Sequence, residues 1–176
     1  MNTSLKKIVM AALFAALACA ATMSIRIPTP GTGGDIHRGD AIVILSGVVL
    51  GPVWGLLAGG IGSALADLLG GYLTYVPITF VIKGLVALTA GLIYQKIGKT
   101  KKSRYTAVVL GGIVDIVFVA GGYFLSEAMM YGMAAAASIP ANIIQGISGL
   151  IISIVLYPVL IAIPDISQMA LRTKTS

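Results

Sequence analysis

Charge is scarce in this chain. Only 10% of its 176 residues are Asp, Glu, Lys or Arg, against about 25% in an ordinary soluble domain. A chain so poor in charge cannot clothe a water-facing surface, which places it in the membrane class. Cysteine and histidine are scarcer still, with one of each, Cys19 and His37. A lone cysteine excludes an intrachain disulfide. One Cys and one His exclude the Cys/His sets that hold zinc, so neither a metal nor any other cofactor is expected. Cys19 lies inside an apolar run and reads as a small hydrophobe. Aromatics reach only 7%, too few for deep stacking platforms along the apolar runs.

What is abundant is apolar surface and glycine. Hydrophobic residues make up 57% of the chain and glycine contributes 22 residues, and the mean hydropathy is +0.99. Glycine lets helices approach closely where lipid supplies no hydrophobic force between them. Six apolar spans can be drawn, at about 8–25, 39–50, 53–69, 76–94, 105–125 and 139–163. A membrane helix needs roughly 20 apolar residues, with a lower limit near 17. In the second, the continuous apolar run is only Ala41 to Leu50, which is short unless the helix starts near Gly39 or is shielded by other helices. Gly51-Pro52 separates it from the third by a very tight connection. A single broken re-entrant element over 39–69 would give five crossings instead. The favoured expectation is an all-α integral membrane protein, one domain over 1–176, with six transmembrane helices. Lys6-Lys7 followed by the first span has the look of a signal peptide. The run is too long and lacks a clean small-x-small site at its end, so it reads as a retained membrane helix.

Orientation follows from the basic residues. Lys6 and Lys7 precede the first span, and Lys96, Lys99, Lys101, Lys102 and Arg104 crowd the link between the fourth and fifth. Arg172 and Lys174 follow the sixth. With six crossings these nine of the twelve basic residues share one side, which should be the cytoplasm, so both termini are expected there. The net charge of +6 is thus a topology signal, and no nucleic-acid partner is expected. The outer side carries the loop from Arg26 to Gly39, rich in Pro and Gly and read as a structured turn or lid. It also carries the link Gly70 to Tyr75 and a third loop from Ser126 to Ser138.

Ionisable residues inside a membrane are costly and face a bundle interior or a cavity. Lys83 lies in the middle of the fourth span, about 10 Å deep at 1.5 Å per residue. Thr79 shares its helix face and Tyr75 lies a turn before. On the fifth span Asp115, Tyr123 and Glu127 fall near one stripe, with Asp115 about 15 Å from the inner end. On the sixth, Asn142, Gln145 and Gly149 share a face. Asp40, Asp67 and His37 stand at the rims of the spans. Two readings fit Lys83: a salt bridge to Asp115 that neutralises both, or a hydrogen bond to a ligand in an occluded cavity. These residues, His37, Asp40, Asp67, Tyr75, Thr79, Lys83, Asp115, Tyr123, Glu127, Asn142 and Gln145, form the candidate binding set for a small polar molecule. For the tyrosines, an interfacial aromatic belt is the competing reading. For Asn142 and Gln145 it is interhelical hydrogen bonding.

Enzyme signals fail on inspection. Gly146-Ile147-Ser148-Gly149 has the Gly-x-Ser-Gly form of an intramembrane serine protease, but no histidine follows on a later helix. Gly98-Lys99-Thr100 echoes a phosphate-binding loop, but Ile93 stands where its first glycine should be. No nucleophile–base pair is present, so an enzyme is not expected. Ala11, Ala12, Ala15, Ala16 and Ala20 give the first span overlapping small-xxx-small patterns, which suit close helix packing, internal or against a partner.

The stretch Asp40-Ala-Ile-Val-Ile-Leu45, then Leu50-Gly-Pro-Val-Trp54 through Asp67-Leu-Leu-Gly-Gly-Tyr72 to Pro77-Ile-Thr-Phe-Val-Ile-Lys83, resembles the substrate-binding S component of energy-coupling factor (ECF) vitamin transporters. It is most similar to the branch that includes riboflavin, pyridoxine and hydroxymethylpyrimidine types. The resemblance implies a prokaryotic plasma-membrane protein that binds a vitamin in an outward-facing pocket under the first outer loop. It implies docking on a transmembrane scaffold subunit driven by two ATPase subunits, through an Ala-x-x-x-Ala motif that maps onto Ala12 and Ala16. By position it places ligand contacts at Thr79, Lys83 and Gln145. Lysine, carboxylates, tyrosines and amides suit vitamin B6 or a pyrimidine precursor of thiamin. Pantothenate or riboflavin are alternatives. A non-transport scaffold protein packing through its Ala and Gly faces is the competing class, and it has no need of a lysine in mid-membrane. A self-sufficient carrier is weakened by the lack of inverted repeats.

Overall fold

The computed structural model describes residues 3–24, 26–28 and 35–172. Residues 29–34 of the first outer loop and Lys174 lie outside that set. The described chain is helical apart from one short hairpin. In order come α1 (Thr3–Ser24), β1 (Arg26–Pro28), β2 (Asp35–His37), α2 (Asp40–Leu50), α3 (Pro52–Leu69), α4 (Tyr75–Ile97), α5 (Lys101–Tyr131), a 3-10 helix (Gly132–Ser138), α6 (Ile139–Ala162) and α7 (Pro164–Arg172). β1 and β2 pair antiparallel, with Arg26 opposite His37 and Pro28 opposite Asp35.

The short second span is the centre of the molecule. α2 has 11 residues and all but Ile42 are buried. It packs on α1, α3, α4, α5, α6 and α7. At 1.5 Å per residue it rises only about 16 Å, well short of a hydrocarbon core about 30 Å thick. It needs no greater length because protein, not lipid, surrounds it. The other five long helices have 18 to 31 residues and expose rows of aliphatic side chains outward, such as Val53, Val81, Val117 and Val155.

Small residues set the spacing. A Cβ placed on Gly47 would fall 2.0 Å from the Ala87 carbonyl oxygen, and one on Gly62 would fall 2.4 Å from that of Ala15. Bare backbone therefore lets α2 meet α4 and lets α3 meet α1. Gly51 closes α2 with φ at 84°, a conformation that side-chain-bearing residues adopt only with strain. Pro52 then opens α3 at a position where its missing N–H costs nothing. α5 opens with a capping box, in which the Ser103 N–H donates to Thr100 Oγ1 at 3.2 Å and the Thr100 N–H donates to Ser103 Oγ at 2.8 Å.

Three sequence expectations need correction. The fifth span does not end at Leu125, because α5 runs on to Tyr131 and carries Glu127 inside a helix. Glu127, Ala128, Met129 and Met130 are good helix formers, and only Gly132, at φ 70°, breaks the helix. The expected outer loop 126–138 is thus the end of α5 plus a 3-10 turn. The third departure is α7, which no apolar run announced. It is amphipathic and buries Ile166, Met169 and Ala170, at the i, i+3, i+4 spacing of a helix lying along a surface. Lys6 holds it by an ion pair to Asp165.

Candidate functional site

A column of polar side chains runs through the bundle between α4, α5 and α6 and ends at the first residue of α2. At one end Glu127 accepts from the Tyr75 hydroxyl at 3.1 Å and from the Ser138 hydroxyl. Next, Thr79 Oγ1 and the Tyr123 hydroxyl share a bond of 2.9 Å. The rings of Tyr72, Tyr75 and Tyr123 follow one another at centroid separations of 6.5 and 6.4 Å. Four residues on from Thr79, the Lys83 ammonium sits 5.6 Å from the Tyr123 ring centroid and donates to Asp40 Oδ1. Both members of this ion pair are wholly buried.

Asp40 is the hub. Its second oxygen accepts from Gln145 Nε2 at 3.0 Å, and Gln145 Oε1 accepts from the His37 backbone N–H, also at 3.0 Å. The hairpin is therefore tied to the bundle through an amide side chain. The His37 ring turns back to accept from the Gly39 N–H at 3.3 Å. Asp40 also stands in the first turn of α2, where the helix dipole favours a negative charge. Of the two readings of Lys83, the one that pairs it with Asp115 is corrected, because the partner is Asp40. Helical stripes on α4 and α5 could not reveal this, because the true partner lies 43 residues upstream, at the start of a different helix.

Asp115 is also fully buried, and neither carboxyl oxygen has a hydrogen-bond partner among the described residues. It shares the bare backbone of Gly149 with Asp40: a Cβ there would lie 2.7 Å from Asp40 Cβ and 3.4 Å from Asp115 Oδ2. A buried polar group without a donor is costly, so Asp115 is the least satisfied group of the column. Asn142 is buried one turn before Gln145. Asp67 is buried near the end of α3, where its carbonyl accepts from the Tyr72 N–H at 2.8 Å; it belongs to the α3–α4 turn. Sequence reasoning missed Ser138 as a partner of Glu127. Its position just before the Ile139-Pro140 start of α6 was the available signal.

A second feature lies on the lipid-facing side. An apolar groove of about 440 Å³ runs between α1 and α3, lined among others by Ala11, Ala12, Ala15, Ala16, Trp54 and Ile61. Ala12 and Ala16 are exposed on it, whereas Ala11 and Ala18 pack inward. The first-span alanines thus serve both uses, internal packing and an open face.

Long apolar helices around a buried polar column define a multi-pass membrane protein with a polar interior. The comparisons make this particular. The family model of the ECF-type riboflavin transporter S component matches residues 2–162, and the chain belongs to that family, which is one of transporter subunits and not of enzymes. A solved structure of the S component of a bacterial ECF transporter superposes with a TM-score of 0.68 at 26% identity, covering 91% of this chain and 98% of that one. The thiamine precursor transporter HmpT of Lactococcus lactis subsp. cremoris is 29% identical over 161 residues, 90% of each protein. An uncharacterized protein of Pyrococcus woesei is 39% identical over 133 residues, 74% of this chain and 85% of its own length.

The ion pair generates a test. Lys83→Met leaves Asp40 buried without its counter-charge and should cost about 3–5 kcal/mol, whereas Asp40→Asn combined with Lys83→Met should regain most of that. Thermal unfolding in detergent reads the difference. Equal losses in the single and double variants would contradict the pairing.

Proposed function

We propose that this S component binds a small single-ring vitamin or vitamin precursor of the hydroxymethylpyrimidine or pyridoxine kind. Tyr75, Thr79, Tyr123 and Glu127 would meet the ligand, and the Lys83–Asp40–Gln145 network would form the floor. The observation that carries the reading is the chemistry of the column. It alternates hydroxyls, a carboxylate and an amide with tyrosine rings in edge-on and tilted contact. Such groups can exchange their mutual hydrogen bonds for those of a ring bearing amino and hydroxymethyl substituents. The similarity to a thiamine precursor transporter over nine-tenths of the chain supports it. The description of the matching family favours riboflavin as the second reading. A flavin needs a wide aromatic slot, and the one tryptophan, Trp54, lines the groove between α1 and α3, away from the column. Asp115, Asn142 and His37 are further candidates at the edge of the same site, and Asp67 is the most peripheral.

We also infer six crossings with both termini cytoplasmic. Six helices in the order expected, with Lys6 and the basic α4–α5 link at one end, support that arrangement. The scaffold subunit, with its two ATPases, would dock on the α1–α3 groove, whose exposed Ala12 and Ala16 leave room for another helix to approach closely.

Isothermal titration of the purified protein with hydroxymethylpyrimidine, pyridoxine, riboflavin and pantothenate tests the cargo. Tight binding of one of the first two is expected, and preference for riboflavin or pantothenate overturns it. Replacing Ala12 and Ala16 together by leucine should leave that binding within about twofold while reducing uptake in cells at least tenfold, on the order of the close-packing energy such contacts hold. Undiminished uptake would remove the groove from the docking surface.

A further inference from the structure

The basic end of the bundle holds a cavity that the binding column does not use. It measures about 300 Å³ and lies between the first turn of α5 and the last turns of α6. Lys101, Arg104, Tyr105, Tyr157, Pro158 and Ile161 line it. The edge of the Tyr105 ring meets Tyr157 at a centroid distance of 5.1 Å, and the Tyr157 hydroxyl is fixed at 2.9 Å from that of Tyr94. The aromatic wall is thus tied to α4 through Tyr94. Among the described residues neither Lys101 nor Arg104 has a carboxylate within 4 Å, and Asp165, the one acid in the segments at that end, is taken by Lys6. Arg104 spends one nitrogen on a long bond, Nε–H to the Gly98 carbonyl at 3.4 Å.

The capping box occupies the first-turn backbone of α5, so the cations, not the helix end, give this cavity its character. Its other side is aliphatic. Deeper along the same two helices, α5 exposes Ile113 and Val117 and α6 exposes Val155 and Val159, aliphatic surface suited to acyl chains. A guanidinium, an ammonium and a tyrosine at headgroup level, above aliphatic rows, match a phosphate-bearing headgroup with its tails attached.

We propose that this cavity is a site for one anionic phospholipid. The phosphate sits between Arg104 and Lys101, and the acyl chains lie along the α5–α6 face. A soluble phosphate shares the headgroup chemistry but gains nothing from Ile161, Pro158 and the aliphatic rows. An acidic segment of a partner protein is disfavoured because α1 packs on α3 and α2 whereas α6 packs on α5 and α2. The open apolar groove on α1 therefore belongs to another face.

Native mass spectrometry of the full chain in detergent tests the proposal, with phosphatidylglycerol, phosphatidylcholine of the same chains, or inorganic phosphate added. Phosphatidylglycerol should be retained one to one, phosphatidylcholine should not, and excess inorganic phosphate should not displace the lipid. Lys101→Gln with Arg104→Gln should weaken retention roughly tenfold, and the exposed Lys101→Gln alone roughly threefold. The matched-charge control Lys7→Gln with Lys96→Gln should leave it unchanged. An unaltered unfolding temperature checks that the double variant folds, and the single variant carries the test if it does not. Equal weakening by the control, equal retention of phosphatidylcholine, or displacement by inorganic phosphate overturns the site.

Discussion

A lysine and an aspartate buried in an apolar bundle must satisfy each other or leave the membrane. Removing an ion from water costs several kcal/mol even after relaxation, and only close pairing with further hydrogen bonds offsets it. The Lys83–Asp40 pair meets that condition, with Gln145 on the second aspartate oxygen. Much of the architecture follows. α2 must begin where Asp40 reaches the column, and it must be wrapped on all sides. α4 must present Lys83 inward, which requires the bare backbone of Gly47 against Ala87. α6 must bring Gln145 to both Asp40 and the hairpin. An arrangement that broke any one of these would strand a charge in low dielectric.

The same constraint separates two kinds of contact along the column. The floor is closed by an ion pair and an amide that bond one another directly. The outer part is held by neutral hydroxyls and one carboxylate, which can trade partners at low cost because a net hydrogen bond is worth only about a kcal/mol. On our reading of the function, a ligand enters where the exchange is cheap and rests on what cannot move. The bond from the His37 backbone to Gln145 ties the hairpin to that floor. The α1–α3 groove stands apart from this chemistry, so on the proposed function capture of a ligand and docking of a partner would use different faces of one bundle.

Most of the helical plan was legible from apolar runs and glycine–proline breaks, because lipid demands long unbroken hydrophobic helices. The brevity of the second span was legible too, but its cause was not. Nothing in the run from Ala41 to Leu50 says that five other long helices will surround it. The polar residues were found because each is anomalous in an apolar span, yet their pairing was not. Tyr75 with Glu127 and Thr79 with Tyr123 could be guessed from depth on neighbouring helices. Lys83 with Asp40 could not, since depth alone matched Lys83 to Asp115. The fifth span is drawn only to Leu125, although Glu127 falls on its polar stripe, because amphipathic helix ends lose the apolar signal before they lose helical structure. α7 escaped for the same reason, being short and half polar.

The most direct measurement is an experimental structure of the protein with its co-purified or added ligand. The account predicts ligand density among Tyr75, Thr79, Tyr123 and Glu127, with the Lys83–Asp40 bridge intact beneath it and Gln145 still joined to the hairpin. Ligand inserted between Lys83 and Asp40, or bound outside the column altogether, would contradict it.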